Sequence, residues 1–516
     1  MNFHNKVLLV GSLLICGGLA LGQSRGGNWP TFGGDAQRSG WEGADAVITK
    51  DSVKNFQLLW KFKVESQPGG MRPVTPPLIQ GRLISYRGFK ELAYVASNSE
   101  IVYSIDADLG TKFWQRHLEY STREPQVTTS SWRCPGGLTA MPTMPVPGRG
   151  GAAGRGAPAP AGQRGSAFIG GTPSVYAISS DGRLHRLNTS TGDDMTQPVS
   201  VIPANARATN LTMVDNVIYT VTSHSCNDAP NAVWAIDLSV DPLKVRSFEL
   251  QEGNSFGSGD PVIGNDGTVY VRSGTGPGVP SNALLALTPR ELQLKNHFFL
   301  RVPATRDSID VSDLMNVASP VVFDYKGREL IVTPCLDNRL CLLDAAMPGG
   351  SDHATPLYRT PQLTPAAGSL TNLAERGVWG SLSSWQDADG TRWILAPVLG
   401  PMDSGLSVPT TNGAVTNGFI AAFKVQEESG TLRLTPVWVS RDLSFPMPPV
   451  TASGVVFALS AGEFTRQIRM TAGVAALEER PRGSTHATLY ALDAATGREL
   501  YSSRNLVTVP AAFTGL

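Results

Sequence analysis

Leu489-Tyr490-Ala491-Leu492-Asp493-Ala494-Ala495-Thr496-Gly497-Arg498-Glu499-Leu500-Tyr501 is the stretch whose reading decides the fold. It spells a strand, a tight turn and a second strand. Tyr490 and Leu492 alternate onto one face of the first strand. Asp493 can accept backbone N–H bonds in an Asx-type turn, and Gly497 supplies the positive φ that ends it. The bulky Tyr501 then opens the outer strand.

The same pattern returns along the chain. Ser104-Ile105-Asp106-Ala107-Asp108-Leu109-Gly110 closes on Trp114, and Arg186-Leu187-Asn188-Thr189-Ser190-Thr191-Gly192 repeats it. Weaker copies stand at Ala235-Ile236-Asp237, Ala286-Leu287-Thr288, Leu342-Leu343-Asp344 and Ala422-Phe423-Lys424, the last running on to Ser429-Gly430 and Trp438. Apolar strands precede them, such as Val217-Ile218-Tyr219-Thr220-Val221 and Thr268-Val269-Tyr270-Val271. Three to four short strands per unit, at roughly fifty-residue spacing, is what radial repetition of four-stranded sheets requires. The sequence therefore predicts an all-β propeller, and 54 glycines and 37 prolines in 516 residues suit its many turns.

The Ala-x-Asp-x-x-Thr-Gly-x-x-x-Trp unit resembles the tryptophan-docking motif of propellers of the pyrroloquinoline-quinone (PQQ) type, in which the Trp of one blade packs against the next. Asp106, Gly110, Trp114, Asp237, Asp344, Trp438, Asp493 and Gly497 are the structural repeat positions, with Tyr501 an aromatic substitute. The opening Asn28-Trp29-Pro30-Thr31-Phe32-Gly33-Gly34-Asp35, with the later 48–64 stretch, resembles the lead-in of quinoprotein dehydrogenases. That family usually closes an eight-bladed ring by pairing an N-terminal strand with C-terminal ones. The resemblance implies seven recognisable blades plus an incomplete eighth, closed by an N-terminal strand at 59–64, with 511–516 reading as the start of the shared blade. It divides the chain into a lead-in at 23–58 and a propeller at 59–516.

Before the lead-in, Lys6, an apolar run at 7–21 and Ala20-Leu21-Gly22 read as a secretory signal peptide over 1–22. Cys16 follows Leu14-Ile15, whereas a lipidation site wants a small residue there. The expected location is the periplasm or the exterior, with no stable membrane span after cleavage. Formal charge sums to zero with 17% charged residues, which disfavours nucleic acid as a partner. Residues 145–165, rich in Gly, Pro, Ala and Arg, cannot bury a core and are expected to form a disordered loop in the second blade. Four cysteines remain after the signal. Cys335 and Cys341 flank Leu336-Asp337-Asn338-Arg339-Leu340, a hairpin tip that would set them opposite each other. A cross-strand disulfide or two buried thiols are the alternatives. Nothing local relates Cys134 to Cys226.

A quinone site needs calcium held by carboxylate and amide oxygens, a base, cations near the quinone oxygens and flat groups around the ring. Residues of those types fall where strands begin near the channel: Trp132, Arg133, His224, Asp260, Asn316 and Trp379. None aligns individually with a quinone or calcium ligand of the family, and loop capping with ordinary blade packing is the favoured reading of them. The adjacent cysteine pair common in quinoprotein alcohol dehydrogenases is missing, as is Cys-x-x-Cys-His for covalent haem. Gly253-Asn254-Ser255-Phe256-Gly257 matches a nucleophile elbow in letters, but Gly259-Asp260-Pro261 blocks the helix that elbow needs. Gly274-Thr275-Gly276-Pro277-Gly278 resembles a phosphate loop in composition only. The histidines His117, His185, His224, His297, His353 and His486 show no metal-ligand spacing. Three functions stay open: a scaffold binding a protein or small ligand on its face, a PQQ-dependent dehydrogenase with calcium oxidising an alcohol or sugar, and a sugar- or polymer-binding propeller.

Overall fold

Each predicted turn leads from the end of one strand into the outermost strand of its own sheet. The computed structural model describes residues 27–43, 45, 47–66, 74–85, 87–118, 134, 136–146, 173–250, 256, 259–274, 280–300, 318–365, 377–410, 412–463, 482–511 and 516. Their strands form seven separate sheets arranged as a propeller, one for each copy of the repeat. The first blade is Leu78–Ser85, Gly88–Ser97, Ile101–Asp106 and Thr111–His117, joined as an antiparallel meander. The fourth, Val262–Ile263, Val269–Arg272, Ala283–Leu287 and Leu294–Phe299, has the same order. The second blade is thinner. It has three assigned strands, Ser174–Ile178, Arg183–Asn188 and Val199–Ser200, with Thr143 bridged to Tyr176 on the inner side. The seventh gains an inner strand, because Trp41–Glu42 pairs in parallel with Val450–Ala452.

The strong copies of the turn share one geometry. Gly110, Gly192 and Gly497 each donate N–H to the residue four back (Asp106, Asn188, Asp493) at 2.8 Å, with φ of +64°, +79° and +71°. An indole from the preceding strand layer lies on each glycine. Trp60 Nε1 donates to Ala107 O (2.8 Å), Trp114 Nε1 to Thr189 O (2.9 Å) and Trp438 Nε1 to Ala494 O (3.0 Å). A Cβ on these glycines would lie 2.2, 2.7 and 2.6 Å from the respective ring, so the position needs glycine for space as well as for φ. In the fourth blade Leu292 takes the glycine's place at φ +53°.

Burial between sheets follows the period-2 alternation. Each neighbouring pair from first–second to sixth–seventh shares an apolar cluster, and the last pair shares two; an example is Leu92, Tyr94, Val102 and Trp114 with Val175, Ala177 and Leu187. The boundary between the seventh and first blades differs. Residues Trp60, Phe62 and Val64 cover the first blade's flank, while Ile48 and Phe56 cover the seventh's, in two separate clusters. The expected closing strand at 59–64 therefore sits in an outer-strand position without strand pairing. The lead-in is likewise woven into the ring rather than set apart from it.

The hairpin cysteines are joined, Cys335 to Cys341, but not as directly opposed partners. Cys341 faces Thr333 in the ladder and Cys335 N donates to Arg339 O (2.8 Å), so the bridge runs diagonally across the tip. Cys134 is also joined to Cys226, 92 residues away. Residues 1–22, 147–165 and 512–515 lie outside the described residues, and with them the signal peptide, most of the expected loop and all of the expected 511–516 strand except Ala511 and Leu516. Pro145 bridges Met213, which anchors the start of that loop to the third blade.

Candidate functional site

Residues 28–42 touch the innermost strand of every blade in turn, which only a segment on the propeller axis can do. Trp29 exchanges two backbone bonds with Ile79 of the first blade (2.8 and 3.0 Å). Pro30 O accepts from Met144 N (2.9 Å) at the second, and Thr31 Oγ1 donates to Leu211 O (2.7 Å) at the third. Ala36 O accepts from Ile263 N (2.8 Å), Gln37 O from Val322 N (3.2 Å) and Ser39 O from Ser384 N (2.8 Å), reaching the fourth, fifth and sixth. Gly40 O accepts from Thr451 N (2.7 Å) and Trp41 pairs alongside the seventh. Inside this run Asp35 accepts from Ser39 N (2.9 Å) and Ser39 Oγ (2.5 Å), and Gly34 lies against the Trp29 ring, where a Cβ would be 2.7 Å from it.

Arg38 is the centre of the plug. Its side chain is fully buried, and Nη1 donates to Phe32 O and Thr31 Oγ1, Nη2 to Thr212 Oγ1 (2.7 Å) and Pro261 O (3.4 Å). Burial lowers its pKa from the usual arginine value, opposed by the attraction of Asp260 and Asp35. One to three residues earlier on the inner strands a polar belt crosses four blades. Met141 N donates to Asn210 Oδ1 (3.1 Å), Asn210 N and Nδ2 donate to the two oxygens of Asp260 (2.9 and 3.0 Å), and Asp260 N donates to Ser319 Oγ (2.9 Å).

Of the six predicted site residues, three are described, Asp260, His224 and Trp379, each on a different blade. Asp260 belongs to this belt. His224 sits on the second-to-third-strand loop of the third blade, with Nδ1 2.9 Å from Ser223 Oγ and 3.3 Å from Arg207 Nη1. It opens a run of left-handed residues, His224, Ser225, Asn227 and Asp228, held by the Cys134–Cys226 bridge. Trp379 lies edge-on to Phe445 (5.1 Å) in an apolar cluster between the sixth and seventh blades. Trp132, Arg133 and Asn316 lie outside the described residues. Sequence reasoning missed Arg38, whose role depends on the Thr212 hydroxyl and the Pro261 carbonyl, 174 and 223 residues away on other blades.

Among the described residues, the one carboxylate predicted for a calcium site is already engaged. Asp260 has each oxygen bound by Asn210 and faces the buried Arg38 cation, so its charge is already countered. Among the described residues no group of three His, Cys, Asp or Glu side chains is arranged to hold a metal ion. A second constellation is also sealed. Ser179 Oγ, His185 and Asp194 line up as a hydrolytic triad would (3.1 and 2.9 Å), but Ser179 is 2% exposed and its hydroxyl also contacts Asp181. A nucleophile needs an approach path, and this one has none.

No protein-family model matches the sequence, and no curated protein matches it either. Solved structures do match in fold. A quinohemoprotein alcohol dehydrogenase from Comamonas testosteroni superposes with a TM-score of 0.56 at 14% identity, covering 93% of this chain and 73% of that one. Quinohemoprotein alcohol dehydrogenase ADHIIG from Pseudomonas putida HK5 gives 0.55 at 13% identity, over 94% and 73%. A europium-containing methanol dehydrogenase gives 0.53 at 11% identity, over 92% and 85%. At such identities the likeness is one of fold.

Proposed function

We propose that this chain is an exported propeller that binds a partner protein or a small, sugar-like ligand at the mouth of its channel, as a scaffold without redox chemistry of its own. The observation that carries the reading is the use made of the lead-in motif. Trp29 pairs with the first blade, Gly34 makes room for its ring and Asp35 fastens the loop that presents Arg38. The residues that resemble a quinoprotein lead-in thus have a complete explanation as an axial staple, with no cofactor needed. Two disulfides support export, since such bridges persist in oxidising compartments. No helix among the described residues is long and apolar enough to cross a membrane.

The other reading is a PQQ-dependent dehydrogenase acting on an alcohol or sugar, and the fold likeness favours it. Reconstitution of the purified, full-length protein with PQQ and calcium separates the two. The scaffold reading predicts no quinone absorbance retained after desalting and no dye reduction with a panel of alcohols and sugars. Retained quinone with turnover establishes the dehydrogenase instead.

A further inference from the structure

We propose that Arg272 and Asn282 form a binding site for a small hydroxycarboxylate at the junction of the fourth and fifth blades, with the carboxylate on the guanidinium and the hydroxyl on the amide oxygen. The site lies between two blades and not on the axis, so it does not depend on what binds at the channel mouth.

Charge is the first support. Two of the described arginines are buried, Arg38 and Arg272. Asp260 and Asp35 oppose the cost of burying Arg38. Burial alone lowers the pKa of Arg272 to about 9, with no described carboxylate set against it. A buried cation without a countercharge is strongly unfavourable, and an anion arriving from solution removes that cost.

Geometry then selects the kind of anion. Arg272 ends the second strand of the fourth blade, and its ladder partner Leu284 shares an apolar cluster with Ile331 and Cys341 of the fifth. The guanidinium reaches the same neighbour, Nη1 donating to Pro334 O (2.9 Å) and Thr333 Oγ1 (3.4 Å). Nε is buried without an acceptor, and Nη2 has none among the described residues. These two nitrogens share one edge of the guanidinium, the fork that takes both oxygens of a carboxylate. Asn282, two residues before Leu284, donates its N–H to Gly274 O (2.7 Å), which makes it the diagonal neighbour of Arg272 in the ladder at about 7–8 Å. Its Oδ1 is buried without a donor. An open donor edge beside an open acceptor matches a molecule that carries a carboxylate and a nearby hydroxyl. The facing wall is held in place, because the Cys335–Cys341 bridge closes the hairpin that follows Pro334.

The test is calorimetric titration of the full-length protein with lactate at constant ionic strength in chloride. Lactate should bind, and methyl lactate, which lacks the charge, should not. Propionate, which lacks the hydroxyl, should bind about fivefold more weakly than lactate. Arg272→Lys keeps the charge but loses the fork, and should weaken lactate about tenfold. Asn282→Gly suits the left-handed φ of +50° at that position and should erase the difference between lactate and propionate. Absence of lactate binding by the folded protein overturns the proposal, and is also the result expected if a carboxylate of the chain itself already occupies the fork. Equal binding by the protein and by its Arg272→Met variant overturns it too. Either failure leaves the reading of the channel mouth untouched.

Discussion

Arg38→Met separates an axial staple from an incidental buried arginine. The guanidinium is wholly buried, donates to four acceptors on the lead-in and on the third and fourth blades, and is flanked by Asp260 and Asp35. Methionine keeps much of the volume and removes the cation. Two carboxylates then lack their countercharge, and Thr212 Oγ1 and Pro261 O lose a donor. Removing one partner of a buried pair costs about 3–5 kcal/mol. For a chain of about five hundred residues the unfolding entropy, near 2 cal/mol/K per residue, turns that into a melting shift of only about 3–5 °C. Urea unfolding followed by tryptophan fluorescence is therefore the better assay. A double-mutant cycle with Asp260→Asn isolates the pair, because the second substitution removes a charge the first has stranded. The double variant should be more stable than the sum of the single losses predicts, by about 1–3 kcal/mol. Additivity within about 0.5 kcal/mol would refute the reasoning, since it would mean that Arg38 and Asp260 do not sense each other.

The other predictions follow from packing, covalent linkage and titration. Gly192→Ala places a Cβ 2.7 Å from the Trp114 ring at a φ of +79°, and should cost about 2–4 kcal/mol in the same urea assay, with a change in tryptophan emission; an unchanged midpoint would remove the docking argument. Replacing Cys134 and Cys226 by serine opens a 92-residue loop, against 6 residues for Cys335–Cys341. The loop-entropy model makes the first loss about 4–5 kcal/mol and the second about 2, and the reverse order of urea midpoints would contradict it. His297 stacks on His353 (4.1 Å) across the fourth and fifth blades, and burial, then the neighbouring imidazole, lowers its pKa. A histidine depressed in the folded state contributes stability that is complete above the ordinary value of 6.5 and is lost as pH falls through it. His297→Phe should flatten the fall in urea midpoint between pH 8 and 5, and an identical fall in the variant would rule out His297 as its source.

Which parts of this were legible in the sequence depended on the distance over which each interaction acts. The seven turns were legible because Asp493 and Gly497, or Asp106 and Gly110, settle their hydrogen bond within five residues. Each sheet followed from its turn. Trp114 and Trp438 were legible as docking residues because each follows a copy of the turn at the motif's spacing, and Trp60 was not, since no copy of the repeat precedes it. The Cys134–Cys226 bridge links loops of different blades, so spacing carries no trace of it. The axial course of 28–42 was hidden because its bonds come from backbone carbonyls such as Ala36 O, Gln37 O and Gly40 O, which impose no residue type. Asp260 had the right chemistry for a ligand set. Only the positions of Asn210 and Arg38 show that it holds blades together.

The central claim is that residues 28–42 close the axis by bonding to all seven blades. Amide hydrogen exchange of the full-length protein, read by mass spectrometry over these residues and over 59–64, tests it most directly. The account predicts that the amides of Arg38, Ser39 and Gly40, and the blade amides Ile263, Val322, Ser384 and Thr451 that donate to Ala36, Gln37, Ser39 and Gly40, exchange with the slowest class in the molecule, while 59–64 exchanges fastest. Exchange of 28–42 at the rate of 59–64 would contradict it.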